Sequence, residues 1–273
     1  MQVSTNEREF VLEALRSGIR VDGRKPLGLR TVDIDIGADY GHVNVRLGKT
    51  QAMVQVMAEI VAPYPDRPTE GQVIIHSELS PMATRNESIK SAETELTINR
   101  MLERIIRKSR AIETEGLCIV AGHKVWRIVI NIHFLDNDGN LLDAACIGVM
   151  AALLHFRRPD VTVIGQEVTV HTIEERNPVA LSINHVPICV SFAFLDDGQH
   201  PVLDPTLLEE QLCEGDMMIA VNAHREICAI QKAGGLGMET SQLMLCTTVA
   251  LEKGQEITEM IQKALAEAKT KML

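Results

Sequence analysis

Aromatic residues are nearly absent from this 273-residue chain: five Phe, two Tyr and one Trp, 3% in all. A core of ordinary size must therefore be built from Val, Ile, Leu, Met and Ala. Single-stranded nucleic acid readers that stack bases on aromatic platforms are disfavoured on the same ground. Long apolar runs are also missing. The longest, such as Cys146–Leu154, is too short to cross a bilayer. The opening MQVSTNEREF lacks a basic stretch followed by an apolar one, so secretion is not indicated. No C-x-x-C occurs among the six Cys (118, 146, 189, 213, 228 and 246), and most sit in apolar runs. They read as reduced, buried, small hydrophobes, which points to the cytosol or nucleus. Net charge is −10. Basic residues could thus serve nucleic acid only as a confined stripe.

What is present is a globular pattern. Thr5–Leu15 predicts a short helix capped by Thr5 or Asn6, with Gly18 beyond its end. From Thr31 to Val61 the apolar period is two, broken at Gly37–Gly41 and Gly48-Lys49, which predicts an antiparallel meander. Ala62–Gly71, with three Pro, is a loop, and a strand follows at Val73–Ile75. Ser91–Arg110 changes to helical spacing, with Ile98, Met101, Leu102, Ile105 and Ile106 on one stripe. Strands at Leu117–Val120 and Val125–Leu135 lead to a tight turn, Asp136–Asn140. Asp143–Phe156 is a helix apolar on all sides, hence buried between layers. After Glu174–Pro178 come strands at Val186–Phe194, Val202-Leu203, Met217–Val221 and Ile227–Gln231. A final amphipathic helix is expected over Gln255–Lys271. Strands then helices, twice over, give an α+β class. The expected division is 1–30 for a helix and extended arm, 31–180 for a first domain and 181–273 for a second.

Four groups of residues invite chemistry. Asp136-x-Asp138-Gly139 resembles the start of a calcium loop, but its Gly comes too early and a strand precedes it, so a hairpin turn is the better reading. The His and Cys spacings match no metal site, and no metal or cofactor is expected. Gly234-Gly235-Leu236-Gly237 lacks the spacing of a phosphate loop. Asp204, Glu209, Glu210, Glu214 and Asp216 form an acidic cluster, either a general acid or an exposed turn. Arg100, Arg104, Arg107 and Lys108 fall within about 100° on the helix face opposite the apolar stripe. Such a face either tracks a phosphate backbone or is merely solvated, with Arg107 paired to Glu103.

Several segments together resemble the RNase PH family. They are Val21–Arg24, Leu47–Thr50, Arg67–Gly71, Ser80–Ala83, Leu117–Leu154, Leu203–Thr206 and Gln231–Gly235. The resemblance implies a first domain like a ribosomal-protein β-α-β unit and a second, smaller α/β layer. It also implies rings of six that thread RNA and cut it from the 3′ end with phosphate as attacking group. Active members carry a Gly-Thr-Arg run just before the buried helix and two acids six residues apart. Laid on this chain, those fall on Asn140-Leu141-Leu142 and on Glu210 with Asp216. Leucine donates no hydrogen bond to an anion, so the resemblance implies a degenerate centre. Leu117–Phe134, His155–Asp160 and Val186–Val190 are similar to ring subunits of the eukaryotic exosome. That likeness implies a non-catalytic role in the nucleus, nucleolus and cytoplasm. The implied partners are RNase PH-like ring neighbours including an active-lineage subunit, cap proteins with OB or KH modules, a recruited hydrolytic exonuclease, and RNA. An active phosphorolytic exoribonuclease and a small-molecule phosphotransferase are the rival readings.

Overall fold

The computed structural model describes residues 4–83, 88–164, 167–172, 175–196, 198 and 200–272. Helix α1 (Thr5–Arg16) is capped by Ser4, not by Thr5 or Asn6. The Ser4 Oγ accepts from the Glu7 N–H while the Glu7 carboxylate accepts from the Ser4 N–H, a reciprocal capping box. Strands β1 (Val32–Ile36), β2 (His42–Leu47) and β3 (Thr50–Val61) form the expected meander, with Val43, Val45, Leu47, Ala52, Val54 and Val56 turned inward. Strand β4 (Gln72–Leu79) follows the Pro-containing loop, and helix α2 (Ser88–Leu102) comes next.

Glu103–Lys108 extends α2 as a π-helical turn. The expected single α-helix to Arg110 is therefore wrong over its last turn. Wider winding keeps Ile105 and Ile106 buried but moves the basic residues off a common line. Strand β5 (Cys118–Val120) then pairs with β6 (Lys124–Asp136). Strand β6 lies between β3, antiparallel, and β4, parallel, so the first sheet runs β1-β2-β3-β6-β4.

The turn after β6 does not close a hairpin; it leads straight into helix α3 (Leu141–His155). This helix starts two residues before Asp143 because Asn140, at φ 56° and ψ 50°, ends the turn in the left-handed region. Nearly all of α3 is buried, and Gly148 lets it approach the sheet: a Cβ there would lie 2.7 Å from Val54 Cγ2. Short ladders follow, β7 (Arg157–Arg158) with β10 (Val179–Ala180), and β8 (Val161–Ile164) with β9 (Glu167–Val170).

The second sheet has the order β12-β11-β13-β14, from β11 (Ile188–Leu195), β12 (His200–Leu203), β13 (Gly215–Val221) and β14 (Ile227–Gly234). Helix α4 (Leu207–Leu212) precedes β13. Helix α5 (Thr240–Met272) begins well before Gln255. Its Thr-rich first half and Gly254 disguised it, yet Gly254 is a contact point: a Cβ would meet Val221 Cγ2 at 2.4 Å.

The halves are not separate two-layer units. One core joins the first sheet, α2 and α3 to Ile188, Cys189, Met218, Ala220, Ile257 and Ile261 of the second half. The α1 residues Val11 and Leu15 pack with Ala193, Leu195 and Val202, so the N-terminal helix belongs against the second sheet. Of the Cys, 146, 189 and 246 are buried; 118, 213 and 228 are only partly so, and all six are free thiols.

Candidate functional site

Two charged arrangements meet at Asn140. On one side is a seam of buried ion pairs. Arg30 donates to Asp204 from Nε (2.9 Å) and Nη2 (2.7 Å), to the Asp138 and Gly139 carbonyls (3.1 and 3.0 Å), and to Thr50 Oγ1 (3.3 Å). Arg24 reaches Asp204 Oδ2 at 3.0 Å. Arg20 lies deeper: its Nε donates to Glu209 at 2.9 Å, Nη1 to the Leu203 carbonyl at 2.7 Å, and a second contact with Glu209 completes the fork. Burial pushes the Asp204 carboxyl up, but the hydrogen bonds and charge of Arg30 outweigh it and hold the group below its usual range. Asp204 sits at φ 52°, a left-handed conformation that Asp tolerates better than most residues. Arg20, Arg24 and Arg30 thus tie the N-terminal arm, the β2–β3 and β6–α3 turns and the start of α4 into one joint. Gly139, at φ 88°, touches that joint so closely that a Cβ would lie 2.4 Å from the Leu207 nitrogen.

On the other side is an open cleft of about 320 Å³. It brings together all five residues singled out as degenerate positions: Asn140, Leu141, Leu142, Glu210 and Asp216. Its other walls include Ile98, Met101, Phe192, Met217, Met218 and Gln231. Among the described lining residues none is Lys, Arg or His. The Asn140 N–H, at the start of α3, donates to Glu210 Oε1 at 2.6 Å. A helix N-terminus favours an anion, and here a side-chain carboxylate fills that role. The Asn140 amide bridges both arrangements, its Nδ2 donating to Asp143 Oδ2 (2.8 Å) and Asp204 Oδ1 (2.6 Å). Asp143 accepts in turn from the Ser191 N–H (2.9 Å) and Oγ–H (2.7 Å).

Glu210 and Asp216 are exposed residues at the rim. Even so, desolvation pushes the Glu210 carboxyl up to about 7, against the Asn140 N–H and the charge of Arg30. Burial also raises Asp216, against its backbone hydrogen bond and the charge of Lys232. Asp143, fully enclosed, is pushed up to about 6 by burial against the bonds from Ser191 and Asn140. An anion entering this cleft would meet the acids Glu210 and Asp216 and apolar side chains, with no lysine, arginine or histidine among the described lining residues.

The acidic cluster read from sequence therefore divides. Asp204 and Glu209 are buried partners of arginine, Glu210 and Asp216 rim the cleft, and Glu214 pairs with Arg8 at 3.3 Å. The basic face divides too. Arg100, Arg104 and Lys108 line a groove of about 420 Å³ that continues from the cleft past Thr97, Met101 and Gln231. Arg104 Nη1 donates to Gln231 Oε1 at 3.3 Å. Arg107 instead pairs with Glu103 at 2.7 Å and borders a different hollow with Tyr64, Arg67 and Arg110. The role of Arg20, Arg24 and Arg30 was missed, because nothing local marks an arginine whose partner lies some 180 residues on. The Asp of Leu203-Asp204-Pro205-Thr206 was the one available signal. Asp136 and Asp138 gather no metal cluster among the described residues.

Comparisons with known proteins agree with this architecture. The model of the 3′ exoribonuclease family, domain 1, matches residues 28–159, and that of domain 2 matches residues 185–253. The chain is 46% identical over 268 residues to Exosome complex component rrp45 of Schizosaccharomyces pombe, covering 98% of this chain and 92% of that protein. It is 41% identical over 282 residues to Exosome complex component RRP45 of Saccharomyces cerevisiae, covering 98% and 92%. Against Exosome complex component RRP45 of Bos taurus identity is 48% over 264 residues, and the chain, 96% covered, spans 60% of that protein's length. Among solved structures, the Archaeoglobus fulgidus exosome with RNA bound to the active site superposes with a TM-score of 0.80 at 29% identity, covering 93% of this chain and 97% of that one. An archaeal exosome core gives 0.78 at 27%, covering 94% and 96%. With both domain models matched in order, and relatives above 40% identity along almost its whole length, the chain belongs to the 3′ exoribonuclease family of RNase PH-type proteins.

Proposed function

We propose that the chain is a ring subunit of the RNA exosome that supports 3′-to-5′ RNA processing and degradation by assembly and RNA threading, without phosphorolysis of its own. The names of its relatives support the first part. One observation carries the second: at the start of α3, Leu141 and Leu142 line the cleft and the carboxylate of Glu210 takes the N–H of Asn140. Phosphoryl transfer needs preorganised donors around the anion. A phosphate here would lie beside leucines and the acids Glu210 and Asp216, with no lysine or arginine among the described lining residues to balance its charge. Asp216 remains as an acid with no phosphate to serve.

Arg100, Arg104 and Lys108 give RNA a basic edge beside this inert cleft, while the rest of an acidic chain meets subunits and solvent. On this reading the partners are RNase PH-like neighbours, among them an active-lineage subunit, together with OB/KH cap proteins and a hydrolytic exonuclease. The sites of action are nucleus, nucleolus and cytoplasm. The test is reconstitution. Native mass measurement should find one copy of this chain in a hetero-hexameric ring. That ring should bind RNA but degrade it only once the hydrolytic nuclease is added, with or without phosphate. A chain that forms no such ring, and degrades RNA alone with phosphate, would support the phosphorolytic alternative.

A further inference from the structure

The cleft that excludes an anion is well made for a cation, and we infer that it receives an arginine side chain from a partner protein. This rests on the reading of the cleft given above and adds its occupant. Four observations converge. Glu210 Oε1 takes the Asn140 N–H, and no described side chain donates to its Oε2 or to the Asp216 carboxylate. Asn140, a lining residue only 3% exposed, keeps its Oδ1 without any hydrogen-bond donor. The cations nearest these acids are engaged elsewhere. Arg30 spends its donors on Asp204, Thr50 and the Asp138 and Gly139 carbonyls; Lys232 Nζ bonds the carbonyls of Gly234 and Leu236. The walls are apolar and supple, with Met101, Met217 and Met218 beside Leu142 and Phe192.

A ligand that satisfies all four must carry several N–H donors on one rigid cation and an aliphatic stem. A guanidinium on three methylenes has that shape: its fork serves carboxylate and amide oxygens together, and its stem and flat face suit thioether and aromatic walls. An ammonium offers a more strongly hydrated point charge. A polyamine would bring further charges along a chain that here meets methyl groups. The occupant is therefore a protein side chain, presented by a neighbouring subunit or a recruited factor.

Saturation-transfer NMR on the free full chain tests this with blocked amino-acid amides as probes. N-acetyl-arginine methylamide should give a signal, and the corresponding norleucine compound should not. Asp216→Asn with Glu210→Gln should reduce the arginine signal at least five-fold, each single change less. Circular dichroism melts confirm that the variants fold. No arginine signal, an equal signal from norleucine, an arginine signal unchanged in the double variant, or stronger binding of spermidine would each overturn the inference. Inorganic phosphate followed by ³¹P line width in the same samples separates the two levels. Phosphate bound by the wild-type chain sinks the non-phosphorolytic reading itself, whereas absence of both ligands sinks only the arginine.

Discussion

The seam and the cleft share a residue, Asn140, and differ in how charge is matched. In the seam Arg20 and Arg30 are buried against Glu209 and Asp204, Arg24 joins Asp204 from a half-buried position, and backbone carbonyls accept further N–H groups. In the cleft two carboxylates stand among leucines and methionines, with no lysine, arginine or histidine among the described lining residues. The same joint holds Asp204 below the usual carboxylate range on one side and lifts Glu210 and Asp216 above it on the other. Matched charge at this depth fixes geometry: the arm, both turns and the second half meet in one place. Unmatched charge leaves a surface open to something else, and it is where an RNase PH-type centre would need the opposite sign.

The contrast breaks most severely at Arg30. Arg30→Met leaves the buried Asp204 with Arg24 as its one remaining charged partner in the seam, so urea unfolding should show a loss of up to about 3–5 kcal/mol. Adding Asp204→Asn should recover part of it, because the two changes share one network. Gly139→Ala comes next. It forces a Cβ into the α4 backbone at a positive φ and should cost about 1–3 kcal/mol or somewhat more. If either variant melts like the wild type, the seam is not the joint described.

The pH dependence sharpens the comparison further. Asp204 titrates below its usual range, so its stabilisation is present at neutral pH and is lost as pH falls through its folded pKa. Glu210 behaves oppositely. Its carboxyl is raised from 4.5 to about 7, so the folded chain holds that proton longer than the unfolded one, and stability declines as pH rises across that window. Asp143, raised to about 6, adds to the lower part of the decline. Glu210→Gln should therefore flatten the stability profile, most visibly between the values for Asp143 and Glu210, while keeping the acid limb due to Asp204. An unchanged profile would mean that Glu210 is simply solvated.

The smallest effect is expected at the basic groove. Arg104→Ala with Lys108→Ala should weaken RNA binding by the assembled ring and lower its salt slope by up to about one unit per lost phosphate contact. Arg107→Ala should do less, because Arg107 faces another hollow and is paired with Glu103. Equal effects from all three would restore the single stripe that an unbroken α-helix implies.

Much of this is legible in the sequence. Period-two runs placed β1 to β3, the all-apolar stretch placed α3, and the family resemblance brought Asn140, Leu141, Leu142, Glu210 and Asp216 toward one site, where the structure does gather them. The misses share a cause. The π-helical turn at Glu103–Lys108, the left-handed Asn140 that starts α3 early and the first half of α5 are all set by tertiary contact, and local pattern does not carry it. Ion pairing across the chain is the extreme case. Arg20 and Arg30 look like surface residues of a polar arm, and only the fold brings Glu209 and Asp204 to them.

The most direct test is the chemistry itself. A reconstituted ring containing this chain, given RNA and inorganic phosphate without the hydrolytic nuclease, is assayed chromatographically for nucleoside diphosphates, with wild-type chain and with Asp216→Asn. The account predicts no nucleoside diphosphate from either ring, so that the substitution changes nothing in this assay. Release of nucleoside diphosphate that disappears with Asp216→Asn would contradict it and make this subunit an enzyme.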